Sequence, residues 1–168
     1  MKQFISSLHS PEVNQVIRNA TCILRKGVVG PTPRFTDNKN GTVTDNLTGL
    51  VWLKDANSFG TKTWNDAVCC AGMLAAGMYG LLDGSAVGDW RLPSCQELQS
   101  LIDSSQHNPV LPDGHPFNNV QSNDYWTSTA NSINDDYAWY VLLYNGSVSN
   151  SNKNYDRYVW PVRGCQAV

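Results

Sequence analysis

The chain has 168 residues, which is enough for one domain with a full hydrophobic core, because a compact domain of this size hides about 70% of its unfolded surface. Twelve lysines and arginines against 14 acidic residues give a formal net charge of −2, which excludes the basic footprint of a nucleic-acid-binding protein. No apolar stretch approaches the roughly 18 residues of a membrane span, and MKQFISSLHSPE lacks the apolar run of a secretory signal.

The first part of the chain predicts a short helix followed by a linker. Ser10-Pro11-Glu12 is a helix start, since serine can cap and proline suits the first helical turn, and the helix should continue through VNQVIRNA. Glycines and prolines then dominate up to Pro33. We therefore divide the chain into an N-terminal helix and linker at 1–33 and a ligand-binding domain at 34–168.

Two Thr-Asp-Asn triplets flank Asn40-Gly41, a strong hairpin signal. The pattern predicts strands at 34–37 and 42–45, followed by a short apolar strand at 50–53. The segment DNKNGTVTD also resembles a calcium loop, but Lys39 stands where an EF-hand needs an acid or an amide. The hairpin is therefore the better interpretation, and we expect no metal site.

Capping patterns predict two helices in the middle of the chain. Thr63 precedes an acid at the third following position and predicts a helix over 64–75, and Ser94 with Glu97 predicts another over 95–103. Between them, Pro93 favours an extended DWRL segment that ends where the second helix begins. The guanidinium of Arg91 should connect neighbouring loops in a structural role.

From residue 121 onward the pattern changes to the period of two that is typical of strands. In YAWYVLLYNGSVS, the inward face should carry Trp139, Val141 and Leu143, and the outward face Tyr140, Leu142 and Tyr144. Asn145-Gly146 predicts a hairpin turn, after which Val148 returns to the core side. A final strand, YVWPVRG, contains a proline that suits an edge or a bulge.

The sequence lacks the motifs of common catalytic and metal sites. It has no G-x-S-x-G, no H-E-x-x-H, no phosphate-binding glycine loop and no C-x-x-C, so we expect neither an enzyme nor a cofactor. The five cysteines leave two interpretations open. They are buried thiols, or Cys22 and Cys165 form a disulfide that joins the ends of the chain.

The last third of the chain has the composition of a recognition surface. Within residues 121–160, 23 of 40 are Asn, Asp, Ser or Tyr, a mixture in which tyrosine gives contact area at low entropy cost and the small polar residues adapt their hydrogen bonds. The candidate ligand-binding residues are Asn131, Asn134, Asp135, Asp136, Tyr137, Tyr140, Leu142, Tyr144, Ser147, Ser149, Asn150, Asn152, Asn154, Tyr155, Asp156, Tyr158 and Trp160.

Several ordered blocks resemble the Lcl C-terminal domain family, named after the terminal domain of a bacterial collagen-like adhesin. They are FTDNKNGTVTDNLTGLVWLKDA, TWNDA, GDWRLPSCQELQSLID, HPFNNVQSNDYWTST, AWYV and YVWPVRG. The resemblance implies an α+β, C-type-lectin-like fold, with two helices packed on antiparallel strands and the first and last strands of the domain adjacent. Residues matching the family's motifs are interpreted as scaffold: Asp89, Trp90, Arg91, Leu92, Pro93, Glu97, Leu98, Trp139, Val141, Pro161, Val162 and Arg163.

The resemblance also indicates what kind of ligand to expect. Calcium-dependent lectins carry Glu-Pro-Asn or Gln-Pro-Asp, and this chain has neither tripeptide. The same fold serves the variable proteins that retroelements diversify, whose late strands are rich in Asn, Asp, Ser and Tyr. That likeness implies that residues 129–160 form a variable ligand-binding surface on a fixed framework. The protein would then lie at the cell surface, be secreted or belong to a virus-like particle.

The functional hypothesis is a non-enzymatic binding module with a protein ligand favoured over a polysaccharide. The late surface offers only Lys153, Arg157 and Arg163 to a polyanion. One alternative is a trimerising head of an adhesin or fibre, and the oligomeric state is left open. Another is a relative of the formylglycine-generating sulfatase activators, which would need the thiols of Cys69 and Cys70.

Overall fold

The structure, a computed structural model, describes residues 31–164 and belongs to the α+β class, with two sheets and two helices. Its elements are β1 Phe35–Asp37, β2 Thr42–Asp45, β3 Val51–Leu53, β4 Thr61–Lys62, α1 Trp64–Met73, α2 Cys95–Gln99, β5 Asp124–Ala130, β6 Tyr137–Leu142, β7 Val148–Asn152, β8 Arg157–Tyr158 and β9 Val162–Arg163. The predicted N-terminal helix and both cysteines of the predicted disulfide lie outside the described residues. Among residues 31–164, no helix has the length and apolar character needed to cross a bilayer.

The first sheet has the strand order β1-β2-β3-β9, and all its pairs are antiparallel. The three predicted early strands are confirmed to within a residue. Gly41 closes the β1–β2 turn at φ +86°, and a Cβ there would lie 2.8 Å from the carbonyl oxygen of Gly80, so only glycine fits. Val162 of β9 pairs with Trp52 of β3, which brings the late chain beside the early strands. The expectation that the first and last strands are adjacent is wrong, because β1 and β9 are the two edges of this sheet.

The second sheet has the order β4-β8-β5-β6-β7. The expectation of antiparallel strands alone is wrong at one pair, because β8 lies parallel to β5, with Tyr158 opposite Tyr125. The chain leaves the edge strand β7 and reaches the opposite side of β5 within residues 153–156.

Four fully buried tryptophans, Trp52, Trp90, Trp126 and Trp160, dominate the core. Trp160 has no exposed surface, lies 5.3 Å from the ring of Trp52 and donates its indole N–H to the carbonyl of Leu53 at 2.8 Å. Its prediction as a ligand-binding residue is therefore wrong. The neighbouring Pro161 is also buried, between β8 and β9, and its carbonyl accepts the Leu53 N–H at 3.1 Å.

Helix α1 begins as predicted and ends two residues early. The hydroxyl of Thr63 accepts the Asp66 N–H, which satisfies one donor of the first turn. After Met73 the chain turns to an extended conformation at Leu74, whose side chain is fully buried. Burying Leu74 in the core therefore stops the helix before residue 75.

Helix α2 begins at a confirmed capping box. The Glu97 carboxylate accepts the Ser94 N–H and both terminal nitrogens of Arg91, each at 2.7 Å, while the Ser94 hydroxyl accepts the Glu97 N–H. Glu97 is only 8% exposed. The predicted structural role of Arg91 is thus confirmed. The helix is shorter than predicted because, after Gln99, the Leu101 N–H bonds back three residues and the chain continues as tight turns.

None of the three cysteines within residues 31–164 is fully buried, so the expectation of buried thiols is wrong for these three. Cys69 is exposed on α1, and Cys70 and Cys95 are half-buried. All three are free cysteines. Their positions follow from the helix faces, since α1 turns Ala67 and Ala71 to the core and the residues between them outward.

Replacing Glu97 by Gln should destabilise the fold by about 3 kcal/mol, because the substitution removes the carboxylate that pairs with a largely buried guanidinium. Urea unfolding would measure the change. Gln96→Ala, at an exposed position of the same helix, should stay within about 0.5 kcal/mol of the parent. Equal losses in the two variants would contradict the importance of this ion pair.

Trp160→Ala should lower the free energy of unfolding by about 3–5 kcal/mol, because it opens a cavity beside Trp52. Tyr155→Ala, at an exposed position in the same last third of the chain, should change it by no more than about 0.5 kcal/mol. Chemical denaturation of the two variants beside the parent checks both values. A stable Trp160→Ala variant would show that this side chain is not part of the core.

Candidate functional site

The alternation predicted for β6 holds in part. Val141 and Leu143 are fully buried, as predicted, and Tyr144 is 52% exposed. Trp139 was expected in the core but is only half-buried. On the β5 side a bulge between Trp126 and Ala130 leaves Trp139 without a paired residue, and on the other side it faces Asn150 of the edge strand β7.

The face of β6 that was expected to point outward is covered in its middle by Arg157. The guanidinium lies 3.8 Å from the ring centre of Tyr140 and 5.1 Å from that of Trp126, within cation–π range. It also donates to the Asp124 carboxylate and, at 2.7 Å, to the Ser151 hydroxyl. Burial raises the pKa of the Asp124 carboxyl, and the neighbouring Arg157 acts in the opposite direction. Tyr140 therefore belongs to a packed cluster rather than to an open ligand face.

Two turns meet at one end of the second sheet, and we call residues 131–136 and 153–156 together the two-turn tip. The Lys153 N–H donates to the carbonyl of Asp136 at 2.8 Å, which joins the turns, and the Lys153 carbonyl accepts the Trp64 N–H at 2.9 Å. The Lys153 ammonium lies 4.5 Å from the Trp64 ring centre and donates to the Asp135 carbonyl at 2.6 Å. These contacts fix the backbone of the tip against α1.

Asparagine side chains hold the turns of the tip in shape. The side-chain oxygen of Asn131 accepts the N–H groups of Ile133 and Asn134, at 2.8 and 3.2 Å. The side-chain oxygen of Asn152 accepts the Asn154 N–H at 3.0 Å. Both are local Asx turns, in which the side chain replaces a backbone acceptor.

The same role extends to two more of the candidate asparagines. The side-chain oxygen of Asn134 accepts the Asp136 N–H at 3.1 Å, and the Asn131 amide donates to the side-chain oxygen of Asn150 at 3.2 Å. Four asparagines predicted to bind ligand, Asn131, Asn134, Asn150 and Asn152, thus make intramolecular hydrogen bonds. Their first function in the structure is to support the surface.

Other side chains of the tip face solvent without intramolecular partners. Ile133 is 95% exposed and Tyr155 is 63% exposed. The carboxylates of Asp135, Asp136 and Asp156 are also exposed, and within residues 31–164 none of them forms an ion pair. The tip therefore presents an aliphatic side chain, an aromatic ring and three free carboxylates on a fixed backbone.

The remaining candidate residues lie away from the tip. At the opposite end of β6, about 20 Å along the strand, a second turn exposes Tyr144 and Ser147, and Ser149 follows on β7. Leu142 and Tyr158 are half-buried, and Tyr158 packs against Tyr125 at 5.5 Å between ring centres. The predicted ligand-binding residues therefore fall into three groups. The first is the tip with the adjoining Tyr137, and the second is the strand face covered by Arg157, together with Tyr158 and Trp160. The third is the turn that exposes Tyr144 and Ser147.

With the sheets and the tip established, comparison with known families places the chain. A model of the Lcl C-terminal domain matches residues 41–163. The chain belongs to the Lcl C-terminal domain family. Comparisons with curated proteins and with solved structures give no match. The family match extends from the β1–β2 turn to β9, so it covers every described element except β1 and includes both helices and the two-turn tip.

Reasoning from composition missed Ile133, which is 95% exposed at the tip. It was left out because the candidate set was drawn mainly from Asn, Asp, Ser and Tyr. The signal was nevertheless present, since an isoleucine stands alone within the polar run NSINDD. In the structure this isoleucine faces solvent.

Asn131→Ala should loosen the first turn of the tip without unfolding the domain. Losing a hydrogen bond worth about 1 kcal/mol should raise amide exchange at Ile133 and Asn134 by up to about 5-fold. Hydrogen exchange read by NMR would measure it. Asn154→Ala, which removes an exposed side chain without a hydrogen bond of its own, is the control and should leave those amides unchanged.

Proposed function

We propose that this Lcl C-terminal domain is a non-enzymatic binding module, built on a C-type-lectin-like frame, whose ligand contacts the two-turn tip. The observation that carries the proposal is the 95% exposure of Ile133 on a turn whose backbone is fixed by side-chain hydrogen bonds. A single exposed apolar residue is ordinary. Here Ile133 lies beside a second turn, which carries the exposed Tyr155 and whose backbone is also held by hydrogen bonds.

The energetics of such a surface favour binding. Burying an aliphatic side chain of this size stabilises a complex by about 1.5–3 kcal/mol, and tyrosine adds a large contact area with little entropy to lose. Because the backbone of the tip is already ordered, a ligand does not have to immobilise it. The gain from contact is then retained as affinity.

The frame supports a C-type-lectin-like interpretation. The pairing of Trp52 with Val162 places the early and late strands together, two helices flank the sheets, and the late strands end in the candidate surface. On this frame, fewer positions within the hypothetical diversified surface, residues 129–160, are open to variation. Buried or covered positions such as Tyr140 and Trp160 belong to the scaffold, and the free side chains of the tip are the positions that can vary without loss of packing.

Two alternatives from other classes have weaker support. An oxidoreductase related to the formylglycine-generating sulfatase activators would need Cys69 and Cys70 to act as a pair. Adjacent residues of a helix point in different directions, which argues against such a pair. A self-associating head of a fibre draws on the exposed apolar residues outside the tip, among them Met73, Leu82 and Val87. Light scattering over a range of concentrations would identify self-association, and a concentration-independent monomer would exclude it.

The proposal is tested by selecting ligands against the full chain and locating where they bind. A phage library of random peptides and an array of glycans would both be used as probes. Binders should lose at least about 30-fold in affinity for the double variant Ile133→Ser with Tyr155→Ser, as expected for removal of two anchor side chains.

Leu82→Ser is the matched control, since Leu82 is 78% exposed, is also aliphatic and lies in a different loop. It should bind as the parent does. Thermal unfolding should be unchanged in all three proteins, because the replaced side chains make no core contacts. Ligands that bind the double variant and the parent equally well would refute the tip as the binding surface.

A further inference from the structure

We infer that the partner of the two-turn tip is a protein surface in which lysines or arginines surround an apolar pocket. The inference rests on the proposed function and specifies its ligand. Ile133 and Tyr155 supply the apolar contact, and Asp135, Asp136 and Asp156 supply the charge around it. This combination matches the common anatomy of protein interfaces, which have an apolar centre and a polar rim.

The charge of the tip is negative and is not neutralised internally. Three aspartates and one lysine give residues 131–136 and 153–156 a formal net charge of −2. The lysine does not offset the carboxylates directly. Its ammonium bonds to the backbone carbonyl of Asp135 and lies over the Trp64 ring, so no ion pair connects Lys153 to an acidic side chain of the described chain.

Outside the tip, five of the ten acidic residues that the structure describes already have a cationic partner. The carboxylates with a cationic partner within residues 31–164 are those of Asp37, Asp45, Asp83, Glu97 and Asp124. A ligand cation at those positions would have to displace an intramolecular one. At the tip it would pair with a carboxylate without breaking any existing ion pair.

The same charges argue against a sulfated or otherwise anionic polysaccharide. Placing like charges opposite each other opposes binding, and the tip offers an anion no free guanidinium. The guanidinium nearest to the tip in sequence is that of Arg157, which covers the face of β6 and is bonded to Asp124 and Ser151. A cationic protein surface is therefore the occupant that the electrostatics favour.

The test uses the peptides selected from the random library against the full chain. They should be enriched in lysine and arginine next to aliphatic or aromatic residues. Replacing Asp135, Asp136 and Asp156 together by Asn should weaken their binding at least about 10-fold, measured by fluorescence polarisation. Raising sodium chloride from about 50 to about 300 mM should weaken binding to the parent much more than binding to this triple variant.

The matched control makes the same change of charge outside the tip. Asp89, Asp103 and Asp113 lie outside the tip and form no ion pair within residues 31–164. Their replacement by Asn should change affinity less than about 2-fold, because charge effects are screened beyond roughly a Debye length. Heparin oligosaccharide is the polyanionic probe and should not compete. Tight heparin binding that the tip variants abolish would overturn the inference.

The outcomes distinguish this inference from the function on which it rests. If the Ile133 and Tyr155 double variant abolishes binding while the triple Asn variant does not, the tip binds ligands but its partner is not cationic. If neither variant changes binding, both proposals are refuted. An equal loss in the triple variant and its control would attribute the effect to overall charge and overturn the inference.

Discussion

The ion pair between Arg91 and Glu97 is the interaction on which the relation of the two sheets depends. The backbone of Arg91 exchanges hydrogen bonds with Val162, next to the first sheet, while its side chain binds the Glu97 carboxylate at the start of α2. The same helix start contacts the second sheet, because Thr129 accepts the Cys95 N–H at 3.0 Å and the Ser128 N–H donates to the Pro93 carbonyl at 2.7 Å.. One largely buried carboxylate thus connects a strand, a helix and both sheets.

Because the two sheets are held in a fixed relation, the side chains on the surface of the tip do not have to contribute to core packing. The core side of β6 is filled by Val141 and Leu143, and its other side is covered by Arg157. The chain beyond the strand ends is then free to carry side chains that stabilise nothing. Ile133 and Tyr155 occupy such positions, and for that reason their exposure suggests a function outside the fold.

Features set by neighbouring residues were predictable from the sequence. The Asn40-Gly41 hairpin and the caps at Thr63 and Ser94 depend on contacts within a few residues, and each lies where the pattern placed it. Helix ends were less predictable, since packing of Leu74 in the core, and not propensity, stops α1. The family resemblance supplied the order of the blocks, which local patterns alone do not fix.

Features set by distant residues were not predictable. Trp160 looked like one more aromatic residue of a polar segment, and its contacts with Trp52 and Leu53, more than a hundred residues earlier, make it a core residue. The burial of Tyr140 likewise depends on Arg157, which reaches back across the sheet. Composition cannot distinguish a tyrosine under a guanidinium from one in water.

The asparagines show most clearly why composition alone does not distinguish a recognition surface from an ordered turn. A recognition surface and an ordered turn both favour asparagine, because the same side-chain oxygen can bind a ligand or a nearby N–H group. At the tip, Asn131, Asn134 and Asn152 use that oxygen internally. Keeping these three while changing Ile133 or Tyr155 would alter what the tip contacts and leave its backbone in place. Along the same two turns, the asparagines therefore support the backbone, and the residues between them are free to contact a ligand. A binding surface that can change on a constant frame requires this arrangement.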